Sequence, residues 1–381
     1  MSVALSAEWN HAKNHLRRVT LRPSALQNLT PHTVIPACAG MTKVIIEKLT
    51  LTVIIALMTN TQTIKTTLTS AATQLNNDEA SFEVQLLLQH LLNVNRAWLI
   101  AHEHENIPPS IHAAYRALIN RRANGEPIAY ILGVREFYGL IFKVSPDTLI
   151  PRADTETLVE AALAKISQNA QTPSLRREQF TKLRTTESCI AETDSDLRQN
   201  DKVWDDKPRV LDLKILDLGT GSGAIALAIA KHRPQAQITA LDASQDALDI
   251  AIENAQNLNI PNVKLILSDW FSALTNEKFD IIVSNPPYIE ASDAHLQQGD
   301  LRYEPLSALA SGADGLDAIR HIIKNAPPHL NPHGWLMLEH GYHQASQVAA
   351  LLKQAGFSDI SHAKDLSGID RVTIGRFQVG A

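Results

Sequence analysis

The sequence predicts an α/β fold, a sheet wound with helices and preceded by a small helical unit. Three observations carry that prediction. After Met58, apolar residues recur at helical spacing, with Val84, Leu87, Leu88, Leu91 and Leu92 sharing one face. From Lys214 onward, short apolar strands alternate with helical stretches. The first of those strands, KILDL, runs into a glycine turn and an apolar helix stopped by Pro234. Composition bounds the rest. A chain of 381 residues with 44% apolar and 20% charged positions can bury two or three cores without staples. Its net charge of −5 excludes a strongly basic phosphate-backbone binder. Cys38 and Cys189 cannot build a disulfide framework or a cysteine zinc site.

Residues 1–57 read as a poorly structured extension, because no period of 2 or 3.6 is sustained before Lys43. The apolar run KVIIEKLTLTVIIALM follows, and its longest uncharged stretch, Leu49–Met58, is about half a membrane span. It also starts too late for a secretory signal. It fits a buried strand or an amphipathic tail, and a third reading places the natural start at Met58. From 58 to 132 a helical unit is expected, with Asp78 capping one helix and a second, IHAAYRALINRRANGE, ending near Gly125. The span Met58–Ile150 holds 7 Lys/Arg against 8 Asp/Glu, so it carries no basic stripe. AYILGVREFYGLIFKV reads as a hairpin broken by Gly133 and Gly139, opening a second domain over 133–381. In LIPRADTETLVEAALAKI, Thr155 and Glu156 open an apolar-faced helix. Residues 167–208 hold 15 charged positions in 42, too polar to offset the entropy of ordering, so a disordered surface insertion is expected; a partner-binding tail is the alternative.

The chemistry begins at the glycine turn. Gly219, Gly221 and Gly223, interleaved with Thr220 and Ser222, let the backbone approach a ligand at the positive end of a helix. Asp242 ends the next strand, 23 residues after Gly219, a spacing suited to ribose hydroxyls. With Ala224 the loop also satisfies G-x-G-x-x-A, so dinucleotide binding stays open at this point. Asp269 and Trp270 follow the strand VKLIL, where they could edge an adenine or serve as a loop acid and a buried indole. Asp217 could face the cationic side of a cofactor or support the turn. Asn285-Pro286-Pro287-Tyr288 directly follows the apolar strand FDIIVS, 66 residues beyond Gly219, and should share one crevice with the glycine loop. Asn285 offers a side-chain oxygen, Pro286 a backbone carbonyl, and Tyr288 a ring to lie against a planar amide and exclude water. Such groups align a nitrogen nucleophile and are weak bases, which suits direct in-line transfer without a covalent enzyme intermediate. The 15 histidines are scattered and form no H-E-x-x-H or carboxylate–histidine cluster, so no metal site is expected. Arg152 and Glu156 either shape a substrate loop or cap their helix.

From about Met58 to Arg376, omitting 167–208, the sequence resembles the peptide chain release factor glutamine methyltransferases (the PrmC or HemK family). The resemblance rests on LIPRADTE, LDLGTGSGAIALA, SNPPYI, RYEPLSALASGADGLDAIR, LEHGYHQ and DLSGIDRV. It implies a Rossmann-like seven-stranded methyltransferase domain with its last strand antiparallel, and a helical domain that docks the substrate. S-adenosyl-L-methionine is the implied cofactor, held by residues 219–223, Asp242, Trp270 and Asn285. The implied substrate is the glutamine of the Gly-Gly-Gln motif in bacterial release factors, methylated on N5 and bound by residues 285–288, with Asn285, Pro286 and Tyr288 catalytic. PRADTE departs from the commoner PRPETE at two positions, and Glu304 and Pro305 match the pattern without an independent physical role. A cytoplasmic monomer with no metal, membrane or direct nucleic-acid contact is expected. Ribosomal-protein glutamine methylation, nucleic-acid adenine N6 methylation and a non-catalytic nucleotide-binding module are the alternatives.

Overall fold

A computed structural model describes residues 62–171 and 213–378. The N-terminal extension, the Met58 start and all of the charged insertion beyond Gln171 lie outside the described residues, as do both cysteines. The chain divides into two compact units after Leu132.

The first unit is helical: α1 (Ile64–Leu75), α2 (Ala80–Leu92), α3 (Arg96–Ala101), α4 (Pro109–Ala123) and α5 (Ile128–Leu132). Thr63 caps α1 by accepting the Thr66 amide at 3.2 Å. Asp78 does not cap α2; Glu79 sits at that position and makes no side-chain cap bond. Leu87, Leu88, Leu99, Ile111 and Ile119 are buried in one core, each contributing about 1.5–3 kcal/mol. Tyr115 crosses that core and donates to the Val84 carbonyl at 3.0 Å. The buried Glu83 is balanced by Arg122 at 2.7 Å and the Asn77 amide at 3.1 Å.

The second unit opens on a hairpin, β1 (Val134–Phe137) and β2 (Leu140–Lys143). Its connection is Tyr138-Gly139, both at positive φ (51° and 74°), the two-residue turn whose twist matches the strands. The hairpin is shorter than the sequence predicts, because Ile128–Leu132, following Pro127, closes into α5 instead.

The main sheet holds seven strands: β3 (Lys214–Leu218), β4 (Gln237–Asp242), β5 (Val263–Leu267), β6 (Phe279–Ser284), β7 (Leu330–Glu339), β8 (Phe357–Lys364) and β9 (Asp370–Phe377). Their order is β5-β4-β3-β6-β7-β9-β8, parallel except for β9, which runs antiparallel between β7 and β8. Alternate residues feed two cores. Ile215, Ile281 and Met337 face α6 (Glu156–Gln171) and α7 (Ala224–His232). Leu216, Ile282 and Leu336 face α9 (Asp317–Asn325) and α10 (Ala345–Gln354). Helix α8 (Gln245–Asn257) links β4 to β5. Since α6 continues to Gln171, the first residues assigned to the insertion are helical. The strand order reverses between β3 and β6, and open α/β sheets bind ligands at such a point.

Candidate active site

A cavity of about 430 Å³ opens at the carboxyl ends of β3, β4 and β6. The glycine loop forms one side. The amides of Gly219 and Thr220 both donate to the Leu241 carbonyl at 2.9 Å, tying the loop to β4. The three glycines divide by role. Gly219 and Gly221, at φ 71° and 56°, line the cavity, and a Cβ on either would meet no atom within 4 Å. Gly223 (φ 82°) is a packing position instead: a Cβ there would lie 3.0 Å from Leu227 Cδ1 and 3.2 Å from Ala251 Cβ.

Thr220 and Ser222, expected among the cofactor-binding residues, are buried and do not line the cavity. The Thr220 hydroxyl donates to Asp217 Oδ2 at 2.6 Å, and the Ser222 carbonyl accepts from Asn254 Nδ2 at 2.9 Å. Asn254 also exchanges two bonds with the Lys143 backbone, at 2.7 and 3.0 Å, so it joins the hairpin to the glycine loop. No sequence motif pointed to Asn254. Asp217 lies under the turn, fully buried, with Oδ1 lacking a partner. Burial pushes its carboxyl up to about 7 against the pull of the Thr220 hydroxyl.

Asp242 lines the cavity, with Oδ2 accepting the Gly221 amide at 2.8 Å and Oδ1 the Ser244 amide at 2.9 Å. Trp270 lines it too, at φ 49°, a backbone region that bulky residues rarely enter. The Ser268 hydroxyl donates to the Trp270 carbonyl at 2.7 Å and holds that conformation. Strain of this kind persists where the surroundings impose it, and it clusters at ligand sites. Asp269 is exposed and lies off the cavity wall, whereas Ser268 lines it.

Two further walls are Pro146–Leu149 and Pro305 with Ser307 and Ala308; Leu149 and residues 305–308 belong to segments that carried the family resemblance, with no cavity role read for them. Glu304 fastens them together: it accepts the Ile150 amide at 2.9 Å and pairs with Arg152. That contact supplies the physical role Glu304 lacked and shows Arg152 anchoring a loop. Glu156, by contrast, accepts the Tyr138 amide at 3.0 Å and steadies the hairpin turn. Arg371 pairs with Asp154 and Asp365, each at 2.8 Å, joining LIPRADTE to DLSGIDRV.

Asn285, Pro286 and Pro287 line the cavity opposite the glycine loop. The Ser284 hydroxyl donates to the Leu218 carbonyl at 2.7 Å, locking the ends of β6 and β3 together. Asn285 Nδ2 donates to Thr155 Oγ1 at 3.1 Å. Tyr288 lies off the cavity wall; its hydroxyl donates to Glu339 Oε1 at 3.4 Å, and its carbonyl accepts from Gln344 Nε2 at 3.0 Å. Burial, reinforced by the Glu339 charge, raises the Tyr288 phenol. Burial also pushes Glu339 up to about 7, against the pull of Thr155. Among the described residues, no cluster of three or more His, Cys, Asp or Glu could hold a metal. None of their helices is long and apolar enough to cross a membrane.

Two family models match the chain, a PrmC N-terminal domain over residues 66–133 and a methyltransferase small domain over residues 205–300. The release factor glutamine methyltransferase of Xylella fastidiosa (strain Temecula1) is 44% identical over 294 residues, 77% of this chain and 92% of that protein. The protein of the same name from Salmonella typhimurium (strain LT2) is 40% identical over 302 residues, 79% of this chain and 94% of its own. That of Escherichia coli (strain K12) is 40% identical over 295 residues, 77% and 91%.

Proposed function

This chain belongs to the release factor glutamine methyltransferase family, and from that premise we propose that its cavity holds S-adenosyl-L-methionine while residues 285–287 present the side-chain amide N5 of the Gly-Gly-Gln glutamine. The observation that carries this reading is the convergence of Asn285 and Pro286 on the same cavity as Gly219, Gly221 and Asp242. The residues fit the cofactor. The volume suits a small-molecule site, the open sides of Gly219 and Gly221 admit a close approach, and Asp242 stands where ribose hydroxyls can donate to it. Trp270 supplies a flat apolar surface for an adenine, and Ser268 lies beside it.

When bound, S-adenosyl-L-methionine supplies an electrophilic methyl group on a sulfonium. The protein's own work is on the nucleophile. An amide nitrogen is weak because its lone pair is delocalised into the carbonyl. Asn285 Oδ1 and the Pro286 carbonyl accept its two N–H groups and hold the nitrogen so that its remaining electron density faces the donor. Alignment of reactants can supply roughly 7–11 kcal/mol of a barrier, and fixed dipoles add to it without reorganising. Tyr288 supports the tetrapeptide from behind through Glu339 and Gln344. We assign release-factor docking to the helical unit, and a substrate from translation makes the site of action cytoplasmic.

The test is incubation with labelled S-adenosyl-L-methionine and, separately, release factor, ribosomal protein and DNA, with mass spectrometry of the product. Label is expected on the release-factor glutamine, and Asn285→Ala should abolish it while donor binding is retained. Label confined to DNA or ribosomal protein, or full turnover by Asn285→Ala, would overturn the reading.

A further inference from the structure

The Asn285 side chain has two chemically opposite ends, and the reading above needs its oxygen, not its NH₂, to meet the substrate. The residues behind it decide which end that is. Glu339 is buried at the end of β7, with Oε1 accepting from Thr155 Oγ1 at 3.2 Å and from Tyr288 Oη at 3.4 Å. Its Oε2 has no hydrogen-bond partner. A buried carboxyl oxygen without a partner is costly.

The partnered oxygen, Oε1, bears on Asn285 through the proton count of the Thr155 hydroxyl. Thr155, itself buried, carries one hydroxyl proton and two lone pairs. With that proton donated to Glu339, the oxygen can only accept from its other neighbour. That neighbour is Asn285, whose Nδ2 donates at 3.1 Å. An amide anchored by its NH₂ presents Oδ1 on its opposite side. A donor in place of Glu339 would permit the Thr155 hydroxyl to reverse and the Asn285 amide to flip with it. NH₂ would then face the two N–H groups of the substrate amide.

We propose that Glu339 and Thr155 form an orienting relay, a pair of positioning residues that hold Asn285 with its acceptor oxygen toward the glutamine amide. The relay rests on the assignment of Asn285 as the substrate acceptor. The pair and the residue it orients come from the turn just before α6, the end of β7 and the position just after β6; Thr155 lies 130 residues from Asn285 and 184 from Glu339 in the chain.

The experiment compares Thr155→Val, which replaces the hydroxyl by a methyl group of nearly equal volume, with Thr155→Ser, which keeps it. Both are assayed in the full chain for release-factor methylation, donor affinity by calorimetry, and melting temperature. Thr155→Val is expected to lower kcat by about 10–100-fold, as loss of a preorganised polar contact does. KM for the release factor and Kd for the donor should each hold within about twofold, and Thr155→Ser should recover most of the rate. Wild-type kcat in Thr155→Val overturns the relay, and so does a serine variant as slow as the valine one. The two assignments fail separately: turnover by Asn285→Ala removes the acceptor assignment itself. An inactive Asn285→Ala beside a fully active Thr155→Val removes only the relay.

Discussion

Replacing Arg152 with alanine would strip the cation from a carboxylate that has nowhere to go. The Glu304 side chain is 0% exposed and that of Arg152 35%. Breaking a fully buried pair costs about 3–5 kcal/mol. Here water reaches the arginine and the Ile150 amide stays on Glu304, so the expected loss is about 2–3 kcal/mol. At roughly 2–4 °C per kcal/mol for a unit of this size, the melting temperature should fall by roughly 4–12 °C. The pH dependence gives the sharper test. Burial already raises the Glu304 carboxyl, and Arg152 opposes that rise, so the substitution lets it climb further. A carboxyl whose folded pKa exceeds its unfolded one destabilises the fold when ionised. The penalty is therefore full above the folded pKa and fades as pH falls and Glu304 protonates in both states. The melting deficit should be larger at about pH 8 than at about pH 5. Adding Glu304→Gln removes the stranded charge and keeps an acceptor for Ile150, so the double variant should regain much of the loss. Scanning calorimetry of the full chain at both pH values is the assay. An equal deficit at both, or a double variant no more stable than Arg152→Ala, would refute the reasoning.

Two other substitutions separate packing from binding. Gly223→Ala puts a Cβ against Leu227 and Ala251 in the left-handed region, at about 1–2 kcal/mol for the backbone and about 1–3 for the overlap, so thermal denaturation should show a loss of about 2–5 kcal/mol. Gly221→Ala meets no protein atom and should cost only about 1–2 kcal/mol of stability, its main effect being weaker donor binding in calorimetry. Asp242→Ala removes the acceptor for two amides and the acceptor proposed for the ribose, and donor affinity should fall at least about tenfold by the same titration; an unchanged Kd would exclude Asp242 from the ligand contacts.

What could be read from the chain was local. A strand, three glycines and an apolar helix occupy one short segment, so periodicity and residue type suffice to place the turn. The tetrapeptide after β6 was legible for the same reason. Errors arose where a local signal was weak or shared. Ile128–Leu132 has strand-like composition, yet it follows a proline and folds as one helical turn. Asp78 is a good capping residue placed one position too early. The roles of Glu304, Asn254 and Glu339 escaped because partners of theirs lie 154, 111 and 184 residues away, and no spacing rule connects such pairs.

By itself the sequence determined the fold class, the family and the backbone shape of the loops, since these follow from residue type over a few turns of chain. Tertiary structure alone decided which of those loop residues face the cavity. It turned Gly219 and Gly221 to the cavity and Gly223 to the helix packing, and it set Ser268, not Asp269, on the wall. It also surrounded Asn285 with groups that fix its direction. Those outcomes depend on hydrogen bonds and burial between distant segments, which exist only once the sheet has brought them together.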